Sequence, residues 1–184
     1  MTRPTATRTT TNVTSLTRPR PTLRKPTRED GAAVWELISE CKPLDENSMY
    51  CNLLQCDHFA DTCIIAELNG EVVGWISAHL PPSEPGTLFV WQVAVSEKAR
   101  GMGLGMKMLK ALAARPECAD VTGLQTTITA DNSASWALFR KFARQHGAPL
   151  GSAPHFKQED HFNGAHATEY MVTIRMAEPL AKAA

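Results

Sequence analysis

Three glycines alternate with apolar residues in the stretch Arg100-Gly101-Met102-Gly103-Leu104-Gly105. An apolar run, Thr87 to Val95, comes before it and predicts a strand, and helically spaced apolar residues follow it as far as Ala114. A strand, a glycine loop and a helix bring free backbone N–H groups and the positive end of a helix dipole to one point. Glycine also lets the backbone approach phosphate oxygens closely. The stretch therefore predicts an anion site suited to a pyrophosphate.

Two common pyrophosphate loops do not fit this stretch. The P-loop requires Gly-Lys-Ser/Thr, where this sequence has Gly105-Met106-Lys107-Met108. The dinucleotide fingerprint G-x-G-x-x-G, started at Gly101, requires Gly or Ala at Met106. A plain flexible loop remains as an alternative, although three glycines between a strand and a helix are costly for packing alone.

The composition predicts one globular domain. The chain has 184 residues, 43% of them hydrophobic, and no apolar run near the roughly 18 residues of a membrane span. We predict a basic disordered tail over 1–22, a domain over 23–176 and a C-terminal tail over 177–184. A transit peptide is a less favoured interpretation of the first tail, which has no apolar core of a signal peptide.

Charge and cysteines narrow the class of partner and the compartment. The first tail has four arginines and no acid, which leaves 15 basic against 19 acidic residues, a net charge of −4, in the remainder. That balance argues against nucleic acid and is compatible with a small cationic substrate. Five cysteines without a C-x-x-C favour neither a disulfide framework nor zinc, and indicate the reducing cytoplasm. Cys63, within an apolar run, is expected in the core, with a catalytic cysteine as the weaker alternative.

The element pattern predicts an α/β fold whose mixed, partly open central sheet is flanked by helices. Asn69-Gly70 is a strong type I′ hairpin signal between two strands, and Asp131 or Asn132 is expected to cap a late helix. The stretch between the last two strands is predicted to be irregular. Helices are predicted after Thr27 and over 48–58, 104–114 and 133–146, and strands over 62–67, 71–80, 87–95, 121–129, 149–155 and 169–176.

The spacing R-x-x-G-x-G resembles the acetyl-CoA loop of the GNAT acetyltransferase superfamily. The strand Trp91 to Val95 before the loop and the helix led by Asn132 after it also match. The resemblance implies acetyl-CoA as cosubstrate and no metal. It assigns cofactor contacts to Val93, Val95, Arg100, Gly101, Gly103, Gly105, Met106, Asn132 and Phe139. Phe139 departs from the pattern, because many members have there a tyrosine that protonates the leaving thiolate; the proton must come from elsewhere, or the thiolate leaves as such.

The acceptor half resembles a narrower family, the diaminobutyrate acetyltransferases of ectoine biosynthesis. The matching stretches are 44–50, 58–63, 88–93 and 126–132, with the late pair His166-x-x-Glu169. The resemblance implies acetylation of the γ-amine of L-2,4-diaminobutyrate, a small diamino acid. Gln125 departs from this family, whose members often have Glu at that position, so a role for that acid as the base would not transfer.

The acceptor carries two amines and a carboxylate, so choosing one amine requires that the other two groups are held. Asp45 suits an ammonium, and the side chains of Asn47, Ser48, Thr126 and Thr127 suit a carboxylate. Asp45 has an alternative as a helix N-cap, for which Asn47 and Ser48 compete. Tyr50 and Trp91 are expected to wall the pocket and attract the cation, with core packing as the alternative.

Catalysis requires a deprotonated amine. For an amine of pKa ~10.4, deprotonation at pH 7 costs about 5 kcal/mol. His166 is the candidate base, directly or through water, with Glu169 as its orienting neighbour; a surface histidine is the alternative. Tyr50 is a further catalytic candidate, and the superfamily implies that the backbone N–H near Val93 holds the oxyanion.

Two other functions remain open at this point. One is a GNAT enzyme that acts on another amine, such as a polyamine, an aminoglycoside or a protein N-terminus. The other is a non-catalytic acetyl-CoA sensor. The sequence predicts neither a nucleic-acid nor a membrane partner, and it is compatible with a homodimer.

Overall fold

A computed structural model describes residues 19–179. Most of the predicted tail over 1–22, and residues 180–184 of the predicted C-terminal tail, lie outside the described residues. The first strand begins at Thr22, one residue before the predicted start of the domain. Over residues 19–179, no helix has the length and apolar character needed to cross a membrane.

Seven strands form one sheet in the order β1-β2-β3-β4-β5-β7-β6. All neighbouring strands are antiparallel except β4 and β5, which are parallel. The strands are β1 (Thr22–Arg24), β2 (Ile64–Leu68), β3 (Glu71–His79), β4 (Thr87–Val95), β5 (Gly123–Thr129), β6 (Leu150–Phe156) and β7 (Glu169–Arg175). The helices are α1 (Gly31–Glu40), α2 (Met49–His58), α3 (Leu104–Ala113), α4 (Ser133–Gln145) and α5 (Gln158–Phe162). The predicted mixed, open α/β sheet flanked by helices is confirmed.

Local chemistry fixes the first half of the sheet. Asn69 and Gly70 both have positive φ, 53° and 80°, as a type I′ turn between β2 and β3 requires. Thr27 and Asp30 form the capping box that starts the turn leading into α1. The two turn residues therefore set the pairing of β2 and β3 next to the turn; the register shifts once further along, between Ala66 and Glu67.

The sheet separates two hydrophobic clusters. One packs α3 and α4 against the sheet through residues such as Leu104, Met108 and Phe142. The other packs α1 on the opposite face, around Val34 and Trp75. Gly74 in β3 allows α3 to approach, because a Cβ there would lie 2.9 Å from the Met108 sulfur. That close approach holds the middle of α3 against the sheet.

Three local features differ from the expectations or decide between them. β2 begins at Ile64 rather than at 62, because Ala60–Thr62 form a 3₁₀ turn. The stretch predicted to be irregular contains the short exposed helix α5, which lacks the apolar periodicity that would have indicated it. Cys63 is fully buried, and burial raises the pKa of its thiol to about 12. A thiol that stays protonated is a poor nucleophile, which disfavours the catalytic alternative.

Candidate active site

The site opens where β4 and β5 separate. The two strands pair only from Thr87 to Phe89 and from Gly123 to Gln125, so that the rest of β4 faces a gap on this side. An irregularity in the β3–β4 register leaves Trp91 without a partner in β3, since Ser77 pairs with Gln92 and Ala78 with Val90. The backbone of β4 beyond Phe89 therefore borders two clefts that meet at the gap.

The first cleft, here called the cofactor cleft, has a volume of about 660 Å³ and lies along the glycine loop and the helices α3 and α4. Gly101 and Gly103 have positive φ, 78° and 65°, and a Cβ on either would meet open space. Glycine is thus required there by the left-handed backbone and not by packing. Gly103 is the N-cap of α3 and has no side chain with which to satisfy the first N–H groups of the helix.

These features fit a polyphosphate ligand with an apolar arm. The unsatisfied N–H groups and the helix dipole favour an anion. Lys141 adds positive charge to the wall, whereas Lys42 and Arg100, which also line it, are paired with Glu46 and Glu97. Leu44, Val95 and Leu138 give the remainder an apolar lining, which suits an extended aliphatic chain.

The structure brings together eight of the nine predicted cofactor residues at this cleft. The exception is Phe139, which is buried and borders the second cleft instead. The side-chain oxygen of Asn132 accepts from the Ser135 N–H at 3.1 Å and caps α4, which decides between the two predicted caps, Asp131 and Asn132. Its Nδ2 group remains the part of this side chain that could reach a ligand. The eight residues are Val93, Val95, Arg100, Gly101, Gly103, Gly105, Met106 and Asn132.

The second cleft, here called the acceptor cleft, has a volume of about 380 Å³ and lies between β4, β5, β7 and the loop of residues 44–47. We call that loop the acceptor loop. The cleft size lies within the range of roughly 300–1,000 Å³ typical of small-molecule sites. Its walls contain these predicted acceptor and catalytic residues: Asp45, Asn47, Trp91, Val93, Thr126, Thr127, His166 and Glu169.

Two predicted acceptor residues lie outside the cleft walls. The Ser48 hydroxyl accepts from the Cys51 N–H at 3.1 Å and is the N-cap of α2. The helix-cap alternative for Asp45 is therefore wrong, and its carboxylate is free to contact other groups. Tyr50, which follows Ser48, is 68% exposed and lies neither in the core nor among the residues that line the cleft. Trp91 does border the cleft and is 47% exposed, so it is not a core residue.

His166 stands between two carboxylates. Its Nδ1 lies 2.7 Å from the carbonyl oxygen of Ala167, and its Nε2 lies 3.1 Å from Asp45 Oδ2 and 3.9 Å from Glu169 Oε1. A carbonyl can only accept, so Nδ1 carries a proton and the Nε2 position faces the acids. The Ala167 hydrogen bond, followed by the two negative charges, raises the pKa of His166 despite some opposing burial.

Glu169 differs from Asp45 in its surroundings. Its side chain is 17% exposed and its Oε2 is buried without a hydrogen-bond partner among the described residues. Burial raises the pKa of this carboxyl. The Asp45 side chain is 76% exposed. Glu169 as a residue borders the acceptor cleft, so a ligand N–H group that reached its carboxylate would supply a hydrogen bond that the protein does not.

Gln92 is a cleft residue that the sequence-based prediction missed. Its Nε2 donates to the Asp45 carbonyl oxygen at 2.8 Å, and its Oε1 accepts from Asn47 Nδ2 at 2.9 Å. The available signal was a lone amide within the apolar run of β4. Gln125 lies elsewhere, because its Nε2 donates to Glu84 Oε2 at 2.7 Å and it does not border the acceptor cleft. Within residues 19–179, no group of three or more His, Cys, Asp or Glu could hold a metal ion.

Comparison with known proteins agrees with this geometry. The sequence model of the acetyltransferase (GNAT) family matches residues 31–143. An L-2,4-diaminobutyric acid acetyltransferase of Methylotuvimicrobium alcaliphilum is 52% identical over 153 residues, 83% of this chain and 89% of the relative. The same enzyme of Vibrio cholerae is 51% identical over 82% of this chain and 87% of its own length.

A solved structure is similar as well. It is the diaminobutyrate acetyltransferase EctA from Paenibacillus lautus in complex with its substrate L-2,4-diaminobutyric acid and coenzyme A. Its TM-score is 0.83 at 39% identity, over 88% of this chain and 96% of that one. Ard1 from Thermoplasma volcanium, at 16% identity and a TM-score of 0.69, shares the fold alone. Since the three matches to diaminobutyrate acetyltransferases each cover more than four-fifths of the chain at 39–52% identity, the chain belongs to the L-2,4-diaminobutyric acid acetyltransferases of the acetyltransferase (GNAT) family.

Proposed function

We propose that this chain transfers the acetyl group of acetyl-CoA to the γ-amine of L-2,4-diaminobutyrate, a reaction of ectoine biosynthesis. The observation that carries the proposal is the convergence of His166, Asp45 and Glu169 on a cleft that meets the cofactor cleft at Val93. One imidazole and two carboxylates suit a substrate with two ammonium groups, one of which must give up a proton. The relatives at about half identity act on the same diamino acid by name.

The cofactor cleft supports acetyl-CoA as the acetyl donor. Backbone N–H groups at the start of α3 would hold the pyrophosphate, with Arg100 and Lys141 close by. The acetyl thioester is the electrophile that acetyl-CoA supplies when it is bound. The edge of β4 that faces the gap would pair with the extended arm, and the Val93 N–H would hold the oxyanion.

His166 is the proposed proton acceptor. With Nδ1–H held by the Ala167 carbonyl and Nε2 3.1 Å from Asp45 Oδ2, both nitrogens face acceptors, which is the geometry of the protonated ring. Once Nε2 has lost its proton, its lone pair can accept one from the amine. The γ-ammonium passes one proton to Nε2, and its nitrogen then bonds to the thioester carbonyl carbon. As the carbon–sulfur bond breaks, the nitrogen gives up a second proton, to the departing sulfur or to water. Asp45 and Glu169 stabilise the imidazolium that results. Phe139 has no proton to give, so the sulfur leaves as a thiolate or takes a proton from another group.

In this proposal, Asp45 decides which of the two amines of the substrate reacts. Asp45 grips the α-ammonium, which then stays protonated and cannot attack. Asn47, Thr126 and Thr127 border the same cleft and can donate to the substrate carboxylate. The γ-amine is then the one that reaches the thioester, and longer diamino acids would place their terminal amine beyond it.

A thiol-release assay on a panel of amines tests the function. We expect turnover with L-2,4-diaminobutyrate, much lower turnover with ornithine and lysine, and none with putrescine, which lacks the carboxylate. NMR of the product should show the acetyl group on the γ-nitrogen. Predominant α-acetylation, or equal efficiency with ornithine, would refute the substrate assignment. Acetyl-CoA binding without turnover on any amine would instead favour a sensor.

The proposed location is the cytoplasm. All five cysteines are free thiols, and four of them, Cys41, Cys56, Cys63 and Cys118, are buried. Free thiols persist in a reducing compartment. Acetyl-CoA and a diamino acid are small metabolites of that compartment, which fits the same location.

A further inference from the structure

Gln92 connects the central strand β4 to the acceptor loop with both ends of its amide. It is buried, with 7% of its surface exposed, although it is polar and lies in an otherwise apolar strand. The structure places its Nε2 2.8 Å from the Asp45 carbonyl oxygen and its Oε1 2.9 Å from Asn47 Nδ2. We infer that Gln92 is a positioning residue that holds the acceptor loop in the geometry required for binding the diamino acid.

The chemistry of the two contacts permits one orientation of this amide. The Asp45 carbonyl can only accept, so it must face the NH₂ group of Gln92. The Asn47 NH₂ group can only donate, so it must face the Gln92 oxygen. Both contacts are satisfied at once, and the side chain joins residues 45 and 47 to a strand that lies 45 residues or more further along the chain.

A third contact fixes the loop from the helical side. Trp35 of α1 donates from its indole N–H to the Asn47 carbonyl oxygen at 3.1 Å. Asn47 is thus held by its side chain from β4 and by its backbone from α1. The acceptor loop has no regular secondary structure, so these side-chain contacts substitute for the hydrogen-bond ladder that holds a helix or strand.

The position of Asp45 depends on this anchoring. Its carboxylate is largely exposed, and the contact recorded for it is the one with His166. An exposed side chain has little packing to hold it, so the place of its carboxylate is set by its backbone. That backbone is the one that Gln92 fastens. Since misplacement by about 1 Å already lowers reactivity, a freed loop would bind the substrate worse and choose between its two amines less strictly.

The inference rests on the proposed function. The affinity for acetyl-CoA distinguishes a loosened acceptor loop from a collapsed one. Pro43 and Leu44 border both clefts, so a collapsed loop would disturb both ligands. A loop that has only lost its fastening at residues 45 and 47 would chiefly affect the acceptor. The expected signature is therefore a raised KM for diaminobutyrate at unchanged acetyl-CoA affinity.

The test compares Gln92→Met with Gln55→Met. Methionine keeps the length of glutamine and removes both polar groups. Gln55 is a buried amide of α2, and its recorded side-chain contact is the one from Asn52, outside the acceptor loop. We expect Gln92→Met to raise the KM for L-2,4-diaminobutyrate about tenfold, more than the loss of the Asp45 charge alone, because it frees Asn47 as well as Asp45. It should also increase the share of α-acetylated product and leave the calorimetric affinity for acetyl-CoA unchanged. Gln55→Met should change none of these.

A second variant provides an internal rescue. In Gln92→Glu an ionised carboxylate can still accept from Asn47 but repels the Asp45 carbonyl, whereas the protonated acid can make both contacts. The KM of Gln92→Glu relative to the wild type should therefore fall as the pH is lowered. A ratio that does not depend on pH would count against the inference, even if Gln92→Met failed to fold.

The outcomes distinguish the two proposals. If the wild type does not acetylate diaminobutyrate, the proposed function fails, and the kinetics of the variants are not needed to show it. If the wild type is active and Gln92→Met has the same KM and the same product ratio, the positioning role is refuted. It is refuted as well if Gln55→Met behaves like Gln92→Met, because both effects would then reflect a weakened core.

Discussion

The cofactor cleft and the acceptor cleft are built from different parts of the chain. The phosphate end of the cofactor cleft depends on backbone groups of one continuous segment, with Gly101 and Gly103 in left-handed conformations before α3. The acceptor cleft depends on side chains from distant segments, and its contact between Asp45 and His166 spans 121 residues. One cleft is thus a property of a local turn, and the other is a property of the assembled sheet.

This difference predicts how each cleft responds to mutation. A backbone site tolerates most side-chain changes that keep the turn, but it is lost when a group blocks or repels the phosphate. A side-chain site loses affinity in steps, because each contact contributes its own share. Substitutions in the two clefts should therefore separate acetyl-CoA binding from acceptor selection.

The largest effect is expected for Gly103→Glu. The new carboxylate would face the phosphates at the start of α3, and like charges brought together cost several kcal/mol. Affinity for acetyl-CoA should fall at least about a hundredfold, measured by calorimetry.

Gly147→Glu is the matched control. Gly147 also has positive φ, 59°, and a Cβ there likewise meets open space, but it ends α4 and borders neither cleft. Both variants should lose about 1–2 kcal/mol of stability through backbone strain, and only Gly103→Glu should lose the cofactor. Equal acetyl-CoA affinity in the two proteins would show that the cleft is not a phosphate site.

Glu169→Gln should give the next largest effect. The amide keeps the shape but cannot stabilise the His166 imidazolium as a carboxylate does, so kcat/KM for diaminobutyrate should fall about 30-fold or more. Acetyl-CoA binding should be unchanged.

The thermal stability of Glu169→Gln should not fall with its activity. The folded state raises the pKa of Glu169 by burial, so ionisation of this group costs stability as the pH rises through that raised pKa. At neutral pH, Glu169→Gln should therefore be at least as stable as the wild type in thermal unfolding. Glu84→Gln, outside the cleft, is the control and should keep normal kinetics. A Glu169→Gln protein with normal activity but lower thermal stability would show that Glu169 has a structural role and not a catalytic one.

Asp45→Asn should give the smallest of the three effects. The side chain is exposed, so its charge is screened, and we expect a loss of about 1 kcal/mol, or a fivefold rise in the KM for diaminobutyrate. A buried pair would have cost about 2–3 kcal/mol.

The same variant tests the base through the pH profile. His166 must be neutral to accept a proton, so kcat/KM should rise as the pH passes through its raised pKa, above the usual value of about 6.5. Removal of the Asp45 charge should move this rise to lower pH. A rise that stays in place after Asp45→Asn, or that persists in His166→Gln, would assign the proton to another group.

The sequence predicted the local cleft in more detail than the assembled one. The bounds of β4, the glycine loop and the Asn132 cap all follow from the apolar pattern and from turn chemistry within a few residues. The choice of acceptor residues came from resemblance to a family. The resemblance indicated Asp45, His166 and Glu169 as site residues, but it could not predict the distances between their side chains.

The remaining features could not be inferred from local patterns. Ser48 and Asp45 were both plausible caps, and only the path of the loop shows that Ser48 caps α2. Gln92 was read as part of a strand because its role depends on a loop 45 residues earlier in the chain. The exposure of Tyr50 depends in the same way on how α2 packs, which its own sequence does not fix.

The gap between β4 and β5 has a consequence for inhibitor design. The two clefts share five lining residues, so no layer of protein lies between the two ligand sites. The shared residues are Pro43, Leu44, Val93, Asn132 and Ser135. A single molecule that joins a diamino acid to a coenzyme-like arm would reach both clefts through the gap. Its second half would then bind at the high effective concentration that a short linker provides. The same opening that lets two metabolites react would let one compound block them both.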